Sequence, residues 1–339
     1  IFSQIEEWTT TDTTFAIATV IKTWRSAPRM EGASMAISDQ TDILGSVSGG
    51  CVEGAVIRAA QEVMQQRVSQ RLAFGISNED AWSVGLSCGG RIEVLVEPFL
   101  GKRDDQGAKV WTALQEAIHQ NRGCVLLSPL DASQGHHYLV YPDGQNIGQP
   151  SPNLLAKAQT VYTEHKNQII ETEAAPYFAN IFPAKDRLLI IGAAHLSADL
   201  VDLAHQFNFE TTVIDPRGIF TNKMEFTTAP HFIHEKWPEE VLSQFALDAD
   251  TYAVVLSHDP KIDDQALHSL LRSKVAYIGA LGSKKTHAKR VKRLTEAGFS
   301  ATEIARIHGP VGVAINARRP KEIALSIIAE MVKIKNRFL

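Results

Sequence analysis

"RLLIIGAAHLSADLVDLAHQFNFETTVIDPR", Arg187 to Arg217, decides the fold of the second half of the chain. An apolar run ends in a glycine turn at Gly192, a helical pattern begins at His195, and the β-branched run "TTVID" closes on Asp215. Strand, glycine turn, helix, strand and acid is the order of a dinucleotide-type site. The spacing from Gly192 to Asp215 is close to the ~20 residues at which such an acid bonds a ribose hydroxyl. The alternation continues through "TYAVVLSH", a helix from Asp263, "VAYIGALGS", a basic helix from Lys284 and a long last helix after Pro320. Strands alternating with helices of this length predict βαβ units and a Rossmann-like, doubly wound parallel sheet over residues 185–339.

The glycine pattern of this half is incomplete. The turn reads "GAAHLS", with Ala194 and Ser197 in place of the second and third glycines. The second glycine lets backbone approach a pyrophosphate, so free NAD(H) is expected to bind weakly. Ligands of such a sheet bind beyond the carboxyl ends of its strands, which brings Gly192, His195, Asp215, Arg217, His258, Asp259 and Ser283 to one crevice. Taken singly, each is most simply a helix cap or an edge polar group. Together they suit an anionic, nucleotide-like or phosphate-bearing group. Two rival activities use the same residues: an NAD(P)-dependent oxidoreductase, and a metal-site hydrolase built on His195, His258 and Asp259. The helix from Lys284 carries Lys285, Lys289, Arg290, Lys292 and Arg293, a solvated face or an attraction for an anion.

The first half, residues 1–184, reads as a mixed α/β domain with a mixed sheet. "TTFAIATVIKT" and "ASMAISD" are strands by their β-branched and alternating content. "EAAPYFANIFPAKD", with two prolines, reads as the boundary segment. Two of the three cysteines sit beside glycine pairs, in "GSVSGGCVEGAV" and "VGLSCGGRIEV". Gly49, Gly50 and Cys51 precede a helix whose apolar face is Val52, Ala55, Val56, Ala59, Ala60, Val63 and Met64, while Cys88, Gly89 and Gly90 open the strand "RIEVLVEPF". A helix N-terminus favours the thiolate, the form that ligates metals. So few sulfurs exclude a closed zinc site, and soft sulfur suits a metal centre that brings most of its own ligands. The plainer alternative is that both cysteines fill tight turns. Cys51 and Cys88 are expected to meet at one pocket with Arg29 nearby. Arg29 offers a fork for phosphate or an oxygen-rich ring, and Glu53 stands in the first helical turn. Cys124 reads as a buried strand residue.

Composition bounds the rest. A length of 339 residues argues for two domains, since single cores stop growing near ~250 residues. With 21% charged residues and a net charge of -4 there is no basic excess, so no nucleic-acid partner is expected. No apolar run approaches the ~18 residues of a bilayer span and the start lacks a signal-peptide pattern. Few cysteines fit a reducing compartment, and the expected location is cytoplasmic.

Taken in order, "SAPRMEGASM", "GSVSGGCVEGAV", "GLSCGGRIEVLVEP", "LLIIGAAHLS", "VIDPR", "VLSHDPKIDDQAL", "YIGALGSKKT" and "IHGPVGVAINARRPKEIALSIIAE" resemble the XdhC/CoxI family over nearly the whole chain. These are accessory factors for maturation of xanthine dehydrogenase and related molybdenum hydroxylases. The resemblance implies a chaperone rather than a turnover enzyme. Such a chaperone binds molybdenum cofactor (molybdopterin), assists its sulfuration with a cysteine desulfurase and delivers it to an apo-molybdenum hydroxylase such as xanthine dehydrogenase. It also implies that Cys51 and Cys88 lie near molybdenum as metal ligands, and that the chain is a homodimer. The apolar stripe Ile323, Ala324, Ile327, Ile328 and Met331 of the last helix suits packing on the sheet or on a partner. The chain departs from the family at Arg25 and Ala194, each in place of glycine, and at Ala314 and Asn316 in place of Asp and Gly.

Overall fold

The structure, a computed structural model, describes residues 2–11, 13–24, 27, 29–50, 52–75, 90–102, 104–131, 135–173, 175–218 and 226–336. It divides into two compact units, Ile1–Ala184 and Lys185–Leu339.

The first unit holds two five-stranded sheets. One contains β1 (Phe15–Trp24), β2 (Ser34–Ser38), β3 (Ile43–Gly45), β4 (Gln70–Phe74) and β5 (Arg91–Pro98), in the order β3-β2-β1-β5-β4. The other contains β6 (Cys124–Pro129), β7 (Tyr138–Val140), β8 (Asn146–Ile147), β9 (Gln168–Ile170) and β10 (Tyr177–Phe182), in the order β8-β7-β6-β10-β9. Among its described residues the unit also holds the helices α1 (Phe2–Thr10), α2 (Glu53–Gln66), α3 (Asp105–His119) and α4 (Pro152–Glu164) and a short 3-10 turn, Leu100–Lys102. The mixed sheet expected from sequence is corrected here: every strand pairing among the described residues of this unit is antiparallel. Links such as the turn between β2 and β3 are too short for the crossover that a parallel neighbour requires.

Alternation along the strands sorts the residues into layers. Ala16, Ala18 and Val20 of β1 pack with Val56, Ala60 and Val63 of α2, whereas Phe15 lies with Trp111 and Leu114 of α3. In the second sheet Val125 and Leu127 face Leu154, Ala158 and Val161 of α4, while Cys124 and Leu126 join the cluster of Phe15 and Ala36. The two sheets therefore present inner faces to each other. The segment read as a boundary contains β10, hydrogen-bonded on both sides in its sheet. Cys124 is fully buried, which pushes its thiol up to about 12 and makes it inert.

The second unit runs β11 (Arg187–Ile191), α5 (His195–Gln206), β12 (Glu210–Ile214), β13 (Phe232–His234), α6 (Pro238–Leu242) and β14 (Thr251–Val255). It continues with α7 (Pro260–Leu271), β15 (Tyr277–Ala280), α8 (Lys284–Glu296), α9 (Ala301–Ile304), β16 (Ile307–His308) and α10 (Pro320–Lys335). Its six strands are parallel in the order β13-β12-β11-β14-β15-β16. Leu188 and Ile190 face one helical layer, with α5 and α10, and Leu189 and Ile191 face the other, with α7. A sheet buried on both faces needs continuous apolar strands, and "RLLII" and "TYAVV" supply them. Ala324, Ile327, Ile328 and Met331 of α10 pack into the cluster of Leu200, Val201 and Ala204 of α5, so the stripe serves this unit's own core. Asn316, in place of the family's glycine, has φ +58, a left-handed conformation that asparagine tolerates well.

Candidate functional site

The first predicted locus is the glycine turn ahead of α2. Gly49 and Gly50 are exposed with φ +80 and +120, conformations that disfavour any side chain, and open space surrounds both α-carbons. Glu53 turns back into this loop. Its Oε1 accepts from Ser46 Oγ at 2.9 Å, Ser48 N at 3.0 Å and Gly49 N at 3.0 Å; its Oε2 accepts from Ser48 Oγ at 2.5 Å, Gly50 N at 2.9 Å and Val52 N at 3.2 Å. Partial burial pushes the carboxyl up, but the Ser48 and Ser46 hydroxyls and the backbone N–H groups outweigh it and hold it at about 2. The carboxylate thus fills the nest of N–H groups that would otherwise attract an outside anion. Its work is to hold the turn, fixing both neighbours of Cys51. Ser46 and Ser48 were missed in the sequence; the signal was two serines flanking a valine before a glycine pair, followed by an acid in the first helical turn.

Cys51, Cys88, Gly89 and Arg25 lie outside the described residues. So, therefore, does the expected approach of the two sulfurs. Gly90 is buried immediately before β5, and Arg29 is exposed on the loop between β1 and β2.

The second locus is the carboxyl edge of the parallel sheet, where strand order reverses between β11 and β14. Gly192 has φ +105, and a Cβ there would sit 2.6 Å from the Ser257 backbone, so β11 and β14 are in close contact at the crevice floor. Asp215 is fully buried and saturated. Oδ1 accepts from Arg217 N and Nε, both at 2.9 Å; Oδ2 accepts from Ala193 N and Arg217 Nη2, both at 2.7 Å. Burial pushes this carboxyl up, and the Arg217 side chain and the Ala193 and Arg217 N–H groups outweigh that and lower it. Ala194 N donates to Ser197 Oγ at 3.2 Å, and the same hydroxyl donates to Gly192 O at 2.7 Å. The acid that would hold a ribose and part of the turn that would hold a pyrophosphate are engaged by the protein itself. Ala194 has φ -101 and ψ 164, open to any residue, so the backbone at this position does not itself require glycine.

His195 and His258 are exposed at this edge, His258 with φ +60. Asp259 and Ser283 are helix caps: Asp259 Oδ1 accepts from Lys261 N at 2.9 Å, and Ser283 Oγ from Thr286 N at 3.1 Å. The first cap, with Pro260 at the first helical position, starts α7 three residues before the expected Asp263. Among the described residues no cluster of three or more His, Cys, Asp or Glu could hold a metal ion, so His195, His258 and Asp259 do not form the hydrolase site entertained from sequence. Arg290 departs from the solvated face of α8: only 2% exposed, it lies 3.6 Å from Asp263, which accepts from Ser257 Oγ at 2.5 Å.

Known proteins resemble the chain in the order of these parts. Residues 8–75 match the model described as the XdhC and CoxI family, and residues 188–331 match the XdhC Rossmann domain. A protein of Bacillus subtilis (strain 168) named as a probable xanthine dehydrogenase subunit is 29% identical over 95% of this chain and 93% of its own length. The molybdenum cofactor insertion chaperone PaoD of Escherichia coli (strain K12) is 24% identical over 94% of this chain and 83% of its own. The crystal structure described as a xanthine dehydrogenase from Bacillus halodurans superposes with a TM-score of 0.79 at 27% identity, covering 99% of this chain and 96% of that one. Among the described residues no helix is long and apolar enough to cross a membrane.

Proposed function

The chain belongs to the XdhC and CoxI family, and from that premise we propose that it is an accessory factor of molybdoenzyme maturation that binds molybdenum cofactor and hands it to an apo-hydroxylase. One observation carries the reading. Its similarity to an insertion chaperone runs over 94% of the chain and is not limited to a shared Rossmann domain. The glycine turn fits such a role. Gly49 and Gly50 leave open space that a bulky group could enter, and Glu53 keeps the turn rigid while that happens. Cys51 and Cys88 would supply soft sulfur beside the molybdenum, and Arg29 would meet the cofactor's phosphate. When bound, the cofactor supplies a molybdenum centre carried on a pterin dithiolene. The chain's part is to hold it, exclude competing ligands and release it to the client. Sulfuration would require a cysteine desulfurase as sulfur donor, with the chain presenting the cofactor to it, and we propose that the carrier works as a homodimer in the cytoplasm.

The carboxyl edge of the Rossmann unit would take an anionic group at His195, His258 and Ser283, and not a tightly held dinucleotide, because Asp215 has no lone pair directed outward. Transfer tests the proposal: protein incubated with released molybdenum cofactor, repurified, and mixed with an apo-hydroxylase should restore hydroxylase activity faster than the same amount of free cofactor. Equal rates would remove the insertion role.

A further inference from the structure

Between the two sheets of the first unit lies a cavity of about 250 Å³. Inner faces of stacked sheets are normally apolar. Here each of four strands places a polar residue inward instead: Thr19 on β1, Glu97 on β5, Ser128 on β6 and Asn180 on β10. Their exposures are 8, 6, 6 and 8%, so all four are more than nine-tenths buried. Glu97 Oε1 pairs with the buried His137 Nε2 at 2.5 Å. Among the described residues nothing donates to Glu97 Oε2, and the Ser128 hydroxyl and Asn180 amide have no hydrogen-bond partner. Thr19 Oγ1 is satisfied by Ser34 Oγ at 3.2 Å, and Asn167, which also lines the cavity, by Glu31 O and Ile181 N. Buried polar groups are costly unless satisfied, and the three left with open capacity, Glu97, Ser128 and Asn180, converge in an aromatic-lined cavity and mark a ligand site. The motif "MEGASM", which the glycine turn does not use, feeds this place: its Gly32 and Ser34, and the Ala36 that follows it, line the cavity, and a Cβ on Gly32 would sit 2.7 Å from Asn180 Oδ1.

From this we infer that the inter-sheet cavity binds an aminopyrimidinone ring, the flat N–H edge shared by pterins and guanine. Its volume falls below the ~300 Å³ at which drug-sized pockets begin, so a single ring system fits and a dinucleotide does not. Among the described residues no lysine or arginine lines it, and Glu97 repels anions, so any phosphate stays outside. An ionised carboxylate offers about four lone-pair sites, and one goes to His137. The rest can accept the adjacent amino and ring N–H groups, while the Asn180 amide or Ser128 hydroxyl donates to the ring carbonyl, with Phe178 and Trp111 against the ring. The cavity lies on the face of the first sheet opposite α2, so this inference does not rest on the glycine turn or on molybdenum.

Fluorescence titration of the full chain with free pterin, and in parallel with guanosine, tests it. Saturable binding of either ring, weakened at least about tenfold in Glu97→Gln while the variant melts cooperatively, is expected, since one charge-assisted hydrogen bond is lost. Preference for pterin or for guanosine then identifies the source of the ring. Binding of neither, or equal binding to Glu97→Gln, would make this a water-filled cavity and overturn the inference. Should Glu97→Gln fail to fold, hydrogen exchange on the unmodified protein decides: pterin or guanosine should protect residues 91–98 and 177–182, and protection elsewhere alone would overturn it. Retention of molybdenum cofactor is measured separately, so either idea can fail without the other.

Discussion

At the scale of single residues, two carboxylates differ from what their positions suggest. Glu53 looks like a favourable charge at a helix start, yet it accepts six hydrogen bonds and organises the loop around Cys51. Its folded pKa of about 2 lies below the ordinary 4.5, so its contribution is fully present above about pH 4.5 and disappears as pH falls towards 2. Discounted for its partial exposure, that contribution is about 1 to 2 kcal/mol. Glu53→Gln should lower stability by that amount in urea melts at pH 7, and the gap to the unmodified protein should close near pH 2. Asp215 differs in another way. Sequence spacing marks it as a ribose ligand, and the structure shows it saturated by Arg217 and Ala193. Calorimetry should therefore find weak NAD(H) binding that Asp215→Ala leaves little changed and that Ala194→Gly strengthens. Tight binding abolished by Asp215→Ala would restore the oxidoreductase. Spacing reveals which residue can reach a ligand; it does not reveal whether an arginine two residues on has claimed it.

At the scale of elements, legibility followed burial pattern. Strands of the second unit are apolar throughout and alternate with long helices, so β11, β12, β14 and β15 were readable from "RLLII", "TTVI", "YAVV" and "YIGA". The first unit was harder to read. In β4, "QRLAF", no residue is fully buried, and β10 hides between prolines in a stretch that resembles a linker. A charged residue inside the buried run of β5 was the overlooked sign of the cavity: Glu97 keeps the inward parity of Leu95. The turn between β11 and α5 is held by Ser197, whose hydroxyl both donates to Gly192 O and accepts from Ala194 N. Ser197→Ala removes both bonds from a fully buried position and should cost about 1 to 2 kcal/mol in thermal unfolding. Less than a few tenths would mean that the turn is held by its glycine alone.

At the scale of the whole molecule, each unit has its own hydrophobic clusters: among the described residues two are confined to residues after 187 and four to residues before 183. Residues 185–339 expressed alone should therefore unfold cooperatively by far-UV circular dichroism; a broad, non-cooperative melt would show that the fragment needs the rest of the chain. The family was legible because its motifs recur in order along both units, where any single glycine motif would have been ambiguous. The sulfur chemistry was legible only as residue types, since a thiol's reach depends on how its loop lies. The central claim is that this chain carries molybdenum cofactor. Its most direct test is to incubate the purified protein with freshly released cofactor, pass it through gel filtration and measure molybdenum and pterin in the protein peak. Both should co-elute with the protein in equal amounts, and a protein peak free of molybdenum and pterin would rule out cofactor carriage.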